Sequence, residues 1–246
     1  MVFNEHSASP AISVVVPVFN EQGAAADLAR EIADAFEGVA HEIVFVDDAS
    51  ADDTVARLTD LRANMPQLRI LSHGRNAGQS RAIRTGVLAA RAPLIVTLDG
   101  DGQNDPADAP RLVRRLADGS AALAMVGGRR AKRQDSAAKR IGSQLANGLR
   151  RRLLQDKAED TGCGLKAFRR DAFLRLPYFD HMHRFLPALF LREGFEIAFE
   201  DVGHRPRTTG RSKYTNLGRL RASVLDLFGV LWLRARTRES GGAREI

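Results

Sequence analysis

The sequence of 246 residues predicts an α/β fold, a mostly parallel β-sheet with helices on both faces. Short apolar runs alternate with segments of helical periodicity along the first half of the chain, as expected for strand–helix–strand units. The runs are apolar at consecutive positions, as in 11–18 and 94–98, which is typical of parallel strands buried on both faces.

The first half of the chain contains five predicted strands, and four predicted helices connect them. We place the strands at 11–18, 41–46, 68–72, 94–98 and 121–126, and the helices at 21–36, 52–64, 78–91 and 106–118. The third helix follows the turn at Asn76–Gly78. The fourth has Pro106 near its start, where the missing N–H of proline leaves no hydrogen bond unmade.

After residue 128 the sequence becomes strongly basic and its pattern is less regular. It predicts a helix ending near Gln155, a strand at 164–169, helices at 171–176 and 184–193, a half-buried strand at 195–202 and an amphipathic C-terminal helix from about 217 to 236. No segment rich in Gly, Ser or Pro divides the chain. We therefore predict one domain over 11–236, between a disordered N-terminus, 1–10, and a disordered tail, 237–246.

Composition restricts the partners and the compartment. The net charge of +7 and the pI of about 10.3 indicate anionic partners such as nucleic acid, anionic lipid or phosphorylated substrates. The one cysteine, Cys163, excludes an internal disulfide and fits a reducing compartment, and we expect its thiol to serve packing. Residues 1–10 lack the pattern of a signal peptide.

No apolar run reaches the roughly 18 residues of a membrane-spanning helix. The nearest approach, 222–233, contains Asp226 and is flanked by arginines on both sides. Apolar residues with a tryptophan and flanking arginines suit a helix lying on a membrane surface. A helix packed on its own domain or on a second copy of the chain suits the same pattern equally well.

Polar clusters follow the predicted strands at the edge where α/β sheets bind ligands. They are Asn20–Glu21, Asp47–Asp48, Asp99–Gln103 and Arg129–Arg130. The sequence Asp-Gly-Asp-Gly-Gln over 99–103 supplies carboxylate and amide oxygens, which suit Mg²⁺ or Mn²⁺ shared with a phosphorylated ligand. Taken alone, the same five residues could form a solvated turn after a strand.

The phosphate-binding glycine motifs of other α/β enzymes are missing. Neither G-x-G-x-x-G after the first strand nor G-x-x-x-x-G-K-[ST] occurs in the sequence, which disfavours a dinucleotide fold and a P-loop NTPase. An aromatic residue, Phe19, can instead cover a base, and acids can accept hydrogen bonds from a base N–H and ribose hydroxyls. His181, His183 and His204 match no metal-ligand spacing, so we expect structural roles for them.

Five ordered motifs carry a resemblance to a known family. They lie at 12–21 (ISVVVPVFNE), 46–50 (VDDAS), 75–78 (RNAG), 98–103 (LDGDGQ) and 207–214 (RTTGRSKY). Together they resemble the family 2 glycosyltransferases, and within them the dolichol-phosphate mannose synthase branch, which makes polyprenyl-phosphate sugars. The chain differs from many relatives in having no transmembrane helix after the catalytic part, and Phe19 replaces a common tyrosine.

The resemblance implies a GT-A fold and assigns roles by motif. The implied nucleotide-binding residues are Pro17, Phe19, Glu21, Asp48 and Asp99; the metal ligands are Asp99, Asp101 and Gln103; the phosphate and acceptor residues are Arg129, Arg184, Arg207, Ser212 and Lys213. Asp101, Arg207 and Lys213 would be the catalytic residues. Residues 11–128 would form the nucleotide-binding half, 129–214 the acceptor-binding half and 215–236 the amphipathic helix.

The implied activity is an inverting, metal-dependent hexosyl transfer. The donor would be a UDP- or GDP-linked sugar, and the acceptor a dolichyl- or undecaprenyl-type polyprenyl phosphate, giving a lipid-linked sugar for envelope glycan or lipid modification. We expect Mg²⁺ or Mn²⁺ as cofactor and a peripheral location at the cytoplasmic face of the membrane, reached directly or through a membrane partner protein. No nucleic-acid reader motif accompanies the charge, and a homo-oligomer is left open.

Two other functions stay open at this point. One is a glycosyltransferase acting on a saccharide or lipid hydroxyl, which would need an aspartate base near the acceptor. The other is a subunit that binds a nucleotide sugar without catalysis, against which the retained acidic and basic motifs argue.

Overall fold

The computed structural model describes residues 9–130, 152–156, 158, 160–206 and 216–238, with the backbone alone for 216–223. The strands are β1 (Ile12–Val18), β2 (His41–Asp47), β3 (Leu68–Ser72), β4 (Leu94–Thr97), β5 (Leu123–Arg130), β6 (Lys166–Arg169) and β7 (Glu196–Val202). The helices are α1 (Ala25–Ala35), α2 (Thr54–Arg62), α3 (Gln79–Ala89), α4 (Ala109–Ala117), α5 (Arg170–Leu174), α6 (Leu186–Arg192) and α7 (Asn216–Ala235), with 3₁₀ turns at Pro106–Asp108 and Met182–Arg184.

The described strands form one sheet in the order β3-β2-β1-β4-β6-β5-β7. All neighbouring strands run parallel except β6, which is antiparallel to both β4 and β5. The predicted mostly parallel sheet is therefore confirmed. Because β6 runs the opposite way, the segment 160–165 that precedes it lies at the edge where β4 ends, and this places it over the ligand-binding side.

The core lies on both faces of the sheet, as the continuous apolar strands predicted. Val14 and Val16 of β1 face one cluster, to which α1, α2 and α4 contribute. Val15 faces the other cluster, which contains α3 and the aromatic residues Phe168 and Phe173. Successive strand residues point to opposite faces, so a strand with every position buried needs helices on both sides.

Several element bounds differ from those predicted. The first helix begins at Ala25 because 21–24 form a turn in which the N–H of Ala24 donates to the carbonyl of Glu21 at 3.0 Å. Strand β5 continues to Arg130 through two glycines, a stretch whose composition hides its pairing with β7. The predictions for 1–8, 131–151, 207–215 and 239–246 fall outside the described residues.

The predicted C-terminal helix is present as α7, and it packs against the domain. Val230 is fully buried, and the ring nitrogen Nδ1 of His181 lies 3.0 Å from a carboxylate oxygen of Asp226. Among the described residues, none of the helices combines the length and the apolar character that crossing a bilayer requires.

Candidate active site

The loops after β1 and β2 are tied together by side chain–backbone hydrogen bonds. The Asn20 amide oxygen accepts from the N–H of Ala51 at 2.7 Å, and the N–H of Asn20 donates to the Ser50 hydroxyl at 2.8 Å. The N–H of Glu21 donates to the Thr54 hydroxyl at 2.9 Å. These bonds hold Pro17, Phe19 and Glu21, three of the predicted nucleoside contacts, at the edge of the sheet beside β2.

Asp48 organises the loop that precedes α3. Asp48 is 4% exposed, and one oxygen of its carboxylate accepts from the N–H of Ala77 at 2.9 Å, while the other accepts from that of Gly78 at 2.8 Å. The ring nitrogen Nδ1 of His73 lies 2.7 Å from the same carboxylate. Gly78 has φ of +86°, a conformation that glycine adopts without strain. The structure therefore gives Asp48 a loop-forming role next to the site.

The turn Asp99–Gln103 follows β4 and packs tightly on β1. A Cβ atom at position 100 would lie 2.7 Å from the carbonyl oxygen of Pro17, so this position requires glycine. The carboxylate of Asp101 accepts from the N–H of Gln103 at 3.1 Å, and the N–H of Asp99 donates to the amide oxygen of Asn104 at 3.1 Å. Hydrogen bonds within the turn and close packing against β1 therefore fix its position.

A second chain segment, residues 204–205, is hydrogen-bonded to this turn. The N–H of Arg205 donates to the carbonyl of Gln103 at 2.9 Å, and Asn104 forms an antiparallel bridge with His204. The amide nitrogen of Gln103 donates to the carbonyl of Arg205 at 3.4 Å. The described chain up to 206 therefore reaches the predicted metal turn. Arg207, Ser212 and Lys213, the predicted phosphate ligands, lie outside the described residues.

A cleft of about 560 Å³ opens beside the turn. Its charged and titratable lining consists of Asp99, Arg130, Asp160, Lys166, His183 and Arg184, together with Cys163. Of the predicted site residues, the structure brings Asp99 and Arg184 together in this cleft. The lining cations and acids come from both halves of the chain, so the cleft is the place where the two halves meet.

Asp99 holds its proton more tightly than an ordinary aspartate. Burial raises the pKa of Asp99 to about 6, and the charge of Asp101 acts in the same direction. The charge of Lys166, a hydrogen bond from the Gln79 amide at 2.8 Å and the charge of Arg130 oppose this shift. Two neighbouring carboxylates that repel each other form a site that favours a cation.

Arg130 and Asp160 form a bidentate ion pair on the cleft wall. Nε of Arg130 lies 2.5 Å from one oxygen of Asp160, and Nη2 lies 2.7 Å from the other. The hydrogen bond to Asp160 raises the pKa of the Arg130 guanidinium, so this group stays charged. Its neighbour Arg129 points to the other face of β5, where Nε lies 2.6 Å from the Asp201 carboxylate.

Lys166 supplies a buried cation. The residue is 5% exposed, and its ammonium donates to the carbonyl of Cys163. Burial raises the pKa of the Cys163 thiol, which therefore stays protonated and packs as a small apolar group, as expected from the sequence.

His183 is neutral in the cleft wall. Burial, together with the charges of Arg184 and Lys166, lowers its pKa well below the usual value. The Ser80 hydroxyl accepts from the N–H of His183 at 3.2 Å and lies 2.7 Å from Nδ1 of its ring. The histidine thereby fixes the segment that carries Arg184 against the start of α3.

The acidic turn fits a hard divalent cation. Asp99 and Asp101 offer carboxylate oxygens, and Gln103, whose amide nitrogen is used by Arg205, offers an amide oxygen. Among the described residues, no group of three or more His, Cys, Asp or Glu side chains could hold a metal by itself. Three oxygen-bearing side chains of this kind suit an ion that takes its remaining ligands from water and phosphate.

The sequence did not identify Lys166 or Gln79 as site residues. Lys166 lies within a predicted strand, where a lysine is usually read as solvent-facing, and Gln79 opens a helix. The sequence did indicate Arg130 as a candidate, because the pair Arg129–Arg130 follows the fifth predicted strand. Strand alternation allows only one of the two to face the cleft, and the sequence alone does not show which.

Comparisons with known proteins show which sequences the chain is similar to. The profile of the family described as Glycosyl transferase family 2 matches residues 13–176. The chain is 36% identical to dodecaprenyl-phosphate galacturonate synthase of Rhizobium johnstonii over 93% of its own length and 69% of that protein. It is 39% identical to undecaprenyl-phosphate 4-deoxy-4-formamido-L-arabinose transferase of Pseudomonas aeruginosa, over 88% of its own length and 63% of that protein.

A solved structure supports the fold. Glucosyl-3-phosphoglycerate synthase from Mycobacterium tuberculosis, in complex with Mn²⁺, UDP and glucosyl-3-phosphoglycerate, superposes with a TM-score of 0.70. The superposition covers 94% of this chain and 82% of the synthase at 22% sequence identity. It confirms the GT-A fold that the resemblance implied, and the family match confirms the resemblance itself.

Proposed function

Because the chain belongs to glycosyl transferase family 2, we propose that it transfers a sugar from a nucleotide-diphosphate donor to a polyprenyl phosphate, with inversion at the anomeric carbon. The relatives named above act, by their names, on dodecaprenyl and undecaprenyl phosphates, and one of them matches 93% of this chain. The product would be a lipid-linked monosaccharide.

The observation that carries the proposal is the charge of the cleft. Arg130, Lys166 and Arg184 line it together, directly beside the acidic turn that begins at Asp99. A donor diphosphate and an acceptor phosphate repel each other, so a transferase that brings them together needs several cations at the reacting centre. A neutral saccharide acceptor would place no such demand.

In the proposed reaction neither acid of the cleft acts as a base. Asp160 is occupied by Arg130, and Asp99, which accepts a hydrogen bond from Gln79, would hold the metal. A phosphate monoester needs no base, since one of its oxygens is already anionic near neutral pH. This oxygen would attack the anomeric carbon from the side opposite the leaving diphosphate, as the bond between that carbon and the diphosphate oxygen breaks.

The chain's own residues would divide the work between the two phosphates. Asp99, Asp101 and Gln103 would hold Mg²⁺ or Mn²⁺, which as a Lewis acid would stabilise the charge developing on the departing diphosphate. Arg130 and Arg184 would orient the acceptor phosphate, together with Arg207, Ser212 and Lys213. Phe19 and Glu21 would bind the UDP or GDP portion, and Asp48 would keep the neighbouring loop in place.

We place the enzyme at the cytoplasmic face of a membrane, as a peripheral protein. The acceptor is a membrane lipid, and the single cysteine fits a reducing compartment.

The test is a product assay with two kinds of acceptor. The protein is incubated with Mn²⁺, a panel of UDP- and GDP-sugars, and either a short-chain prenyl phosphate or the corresponding prenol, and lipid-linked sugar is measured by mass spectrometry. We expect product from the phosphate alone and its loss on addition of EDTA. Asp101→Asn should lower turnover by on the order of 100-fold, whereas the exposed Asp60→Asn should leave it unchanged.

Other results would contradict specific parts of the proposal. Product from the prenol or a saccharide alone would favour the hydroxyl acceptor. Nucleotide-sugar binding without product from any acceptor would favour the non-catalytic subunit. Turnover that survives EDTA would exclude the metal role of the Asp99–Gln103 turn.

A further inference from the structure

Between residues 224 and 235, where the side chains are described, the outward face of α7 is apolar. Val224, Leu225, Phe228 and Trp232 are exposed by 43%, 72%, 64% and 60%, and their spacing puts them on one side of the helix. We call these four residues the apolar stripe. The other exposed positions between 224 and 235 are Gly229 and Ala235, so no charged side chain interrupts this face.

Over the same residues, the polar contacts of α7 lie on its inner side instead. The carboxylate of Asp226 lies 3.0 Å from Nδ1 of His181, and Nε of Arg192 donates to the carbonyl of Leu233 at 3.2 Å. Val230 is fully buried between these contacts, and the guanidinium of Arg234 donates to the carbonyl of Leu154. The helix is therefore held by its inner face. A helix whose outer face met water would carry charged side chains on that outer face, which this helix does not over these residues.

The size and charge of the stripe favour a lipid surface over a second copy of the chain. With at most about 250 Å² for each full side chain, the exposed fractions of the four residues leave at most about 600 Å², which is below the about 800 Å² per partner that a stable protein interface buries. Arg236 is exposed at the C-terminal end of the same face, and the sequence has Arg219 and Arg221 before it. Tryptophan and phenylalanine between arginines suit the boundary between lipid headgroups and acyl chains.

The stripe is also linked to the cleft. His181, which holds Asp226, precedes His183 and Arg184 by two and three residues, and both of these line the cleft. A surface bound by α7 would therefore lie next to the segment that carries Arg184.

We propose that the apolar stripe docks on an anionic lipid bilayer and so holds the cleft at the surface from which its acceptor is drawn. The inference rests on the proposed function for its acceptor, whereas docking itself requires neither donor nor acceptor. The bilayer contact would be interfacial, with the stripe among the headgroups and Arg236 paired with their phosphates.

Trp232 is the only tryptophan of the chain and reports on docking directly. Vesicles of phosphatidylcholine and phosphatidylglycerol, added without sugar donor, should shift its fluorescence to the blue, and brominated lipids should quench it. Binding should weaken about 10-fold or more with phosphatidylcholine alone. The double variant L225S/F228S, which keeps Trp232, should lose most of the shift, whereas Leu88→Ser, at a 54% exposed site on α3, should retain it.

Turnover measured with two acceptors then distinguishes an effect on docking from an effect on catalysis. The double variant should lose turnover with long-chain polyprenyl phosphate in vesicles but keep it with a short water-soluble prenyl phosphate. Docking without turnover on any acceptor would uphold the stripe and refute the proposed function. An unchanged wild-type spectrum, no quenching by brominated lipid, or a lipid-free dimer that L225S/F228S disperses would overturn the docking proposal.

Discussion

Gly164 lies against the carboxylate of Asp99 so closely that a Cβ on it would sit 2.3 Å from Cγ of Asp99. The contact joins the segment before β6 to the end of β4, where the Thr97 hydroxyl also donates to the carbonyl of Gly164 at 2.9 Å. The position of the first acid in the proposed metal turn therefore depends on the absence of a side chain at residue 164.

Gly164→Ala should displace the Asp99 carboxylate and so weaken Mn²⁺ binding and turnover, each by about 10-fold or more. Titration of Mn²⁺ by calorimetry and the product assay check this. Gly229→Ala is the matched control, since nothing lies within 4 Å of its added methyl group. This exposed helical position should gain up to about 1 kcal/mol in stability and keep its metal affinity. Equal metal affinity in the Gly164→Ala protein and the wild type would show that the contact does not position Asp99.

Asp48→Asn should destabilise the protein, because the amide brings a donor toward the N–H groups of Ala77 and Gly78 that the carboxylate now satisfies. We expect a loss of about 2 kcal/mol in the free energy of unfolding, measured with urea, and a weaker nucleotide affinity as a consequence. Asp60→Asn, at an exposed position, should change neither. Loss of nucleotide affinity at full stability would instead support the direct nucleoside contact expected from the motif.

The sequence predicted most of the sheet because its strands carry their signal locally. Val14, Val15 and Val16 are consecutive apolar residues that need partners on both faces, so burial on two sides could be inferred without knowing which helices supply it. The end of β5 carries no such signal, since Gly127 to Arg130 gain their strand conformation from pairing with β7, far along the chain.

The cleft was predicted less completely, for a related reason. Asp99 follows an apolar run and is marked by its position, but Lys166 reaches the cleft because β6 inserts between β4 and β5 in the antiparallel direction. Strand orientation depends on non-local pairing, which no local pattern specifies. Arg130, the partner of Asp160, is likewise identified only by the face of β5 on which it lies.

Arg130 and Asp160 should show a large coupling energy. Their side chains are 15% and 7% exposed, so removal of either leaves a partly buried charge without its partner. Arg130→Met and Asp160→Leu should each cost about 2–4 kcal/mol, and the double variant less than the sum by at least about 1 kcal/mol. Urea unfolding of the four proteins provides the double-mutant cycle.

The neighbouring pair Arg129–Asp201 is a built-in control, with side chains 40% and 55% exposed. Because solvent screens both charges, its coupling energy should be much smaller than that of the Arg130–Asp160 pair. Turnover should fall with Arg130→Met far more than with Arg129→Met if Arg130 is the arginine that faces the acceptor phosphate. The reverse order would assign this role to Arg129, as the motif resemblance implied.

Asp99→Asn should stabilise the metal-free protein in a pH-dependent way. The pKa of Asp99 is raised from 3.8 to about 6, so the folded state binds this proton more tightly than the unfolded state does. The stability contributed by the proton is present below pH 4 and is lost as the pH rises through 6, above which the ionised carboxylate costs up to about 3 kcal/mol. The asparagine carries no charge at either pH, and it therefore escapes this cost. Urea unfolding in EDTA should show that the free energy of unfolding of the variant rises relative to that of the wild type between pH 4.5 and pH 7.5. A difference between the two proteins that stays constant over this range would mean that Asp99 titrates as it does in the unfolded chain.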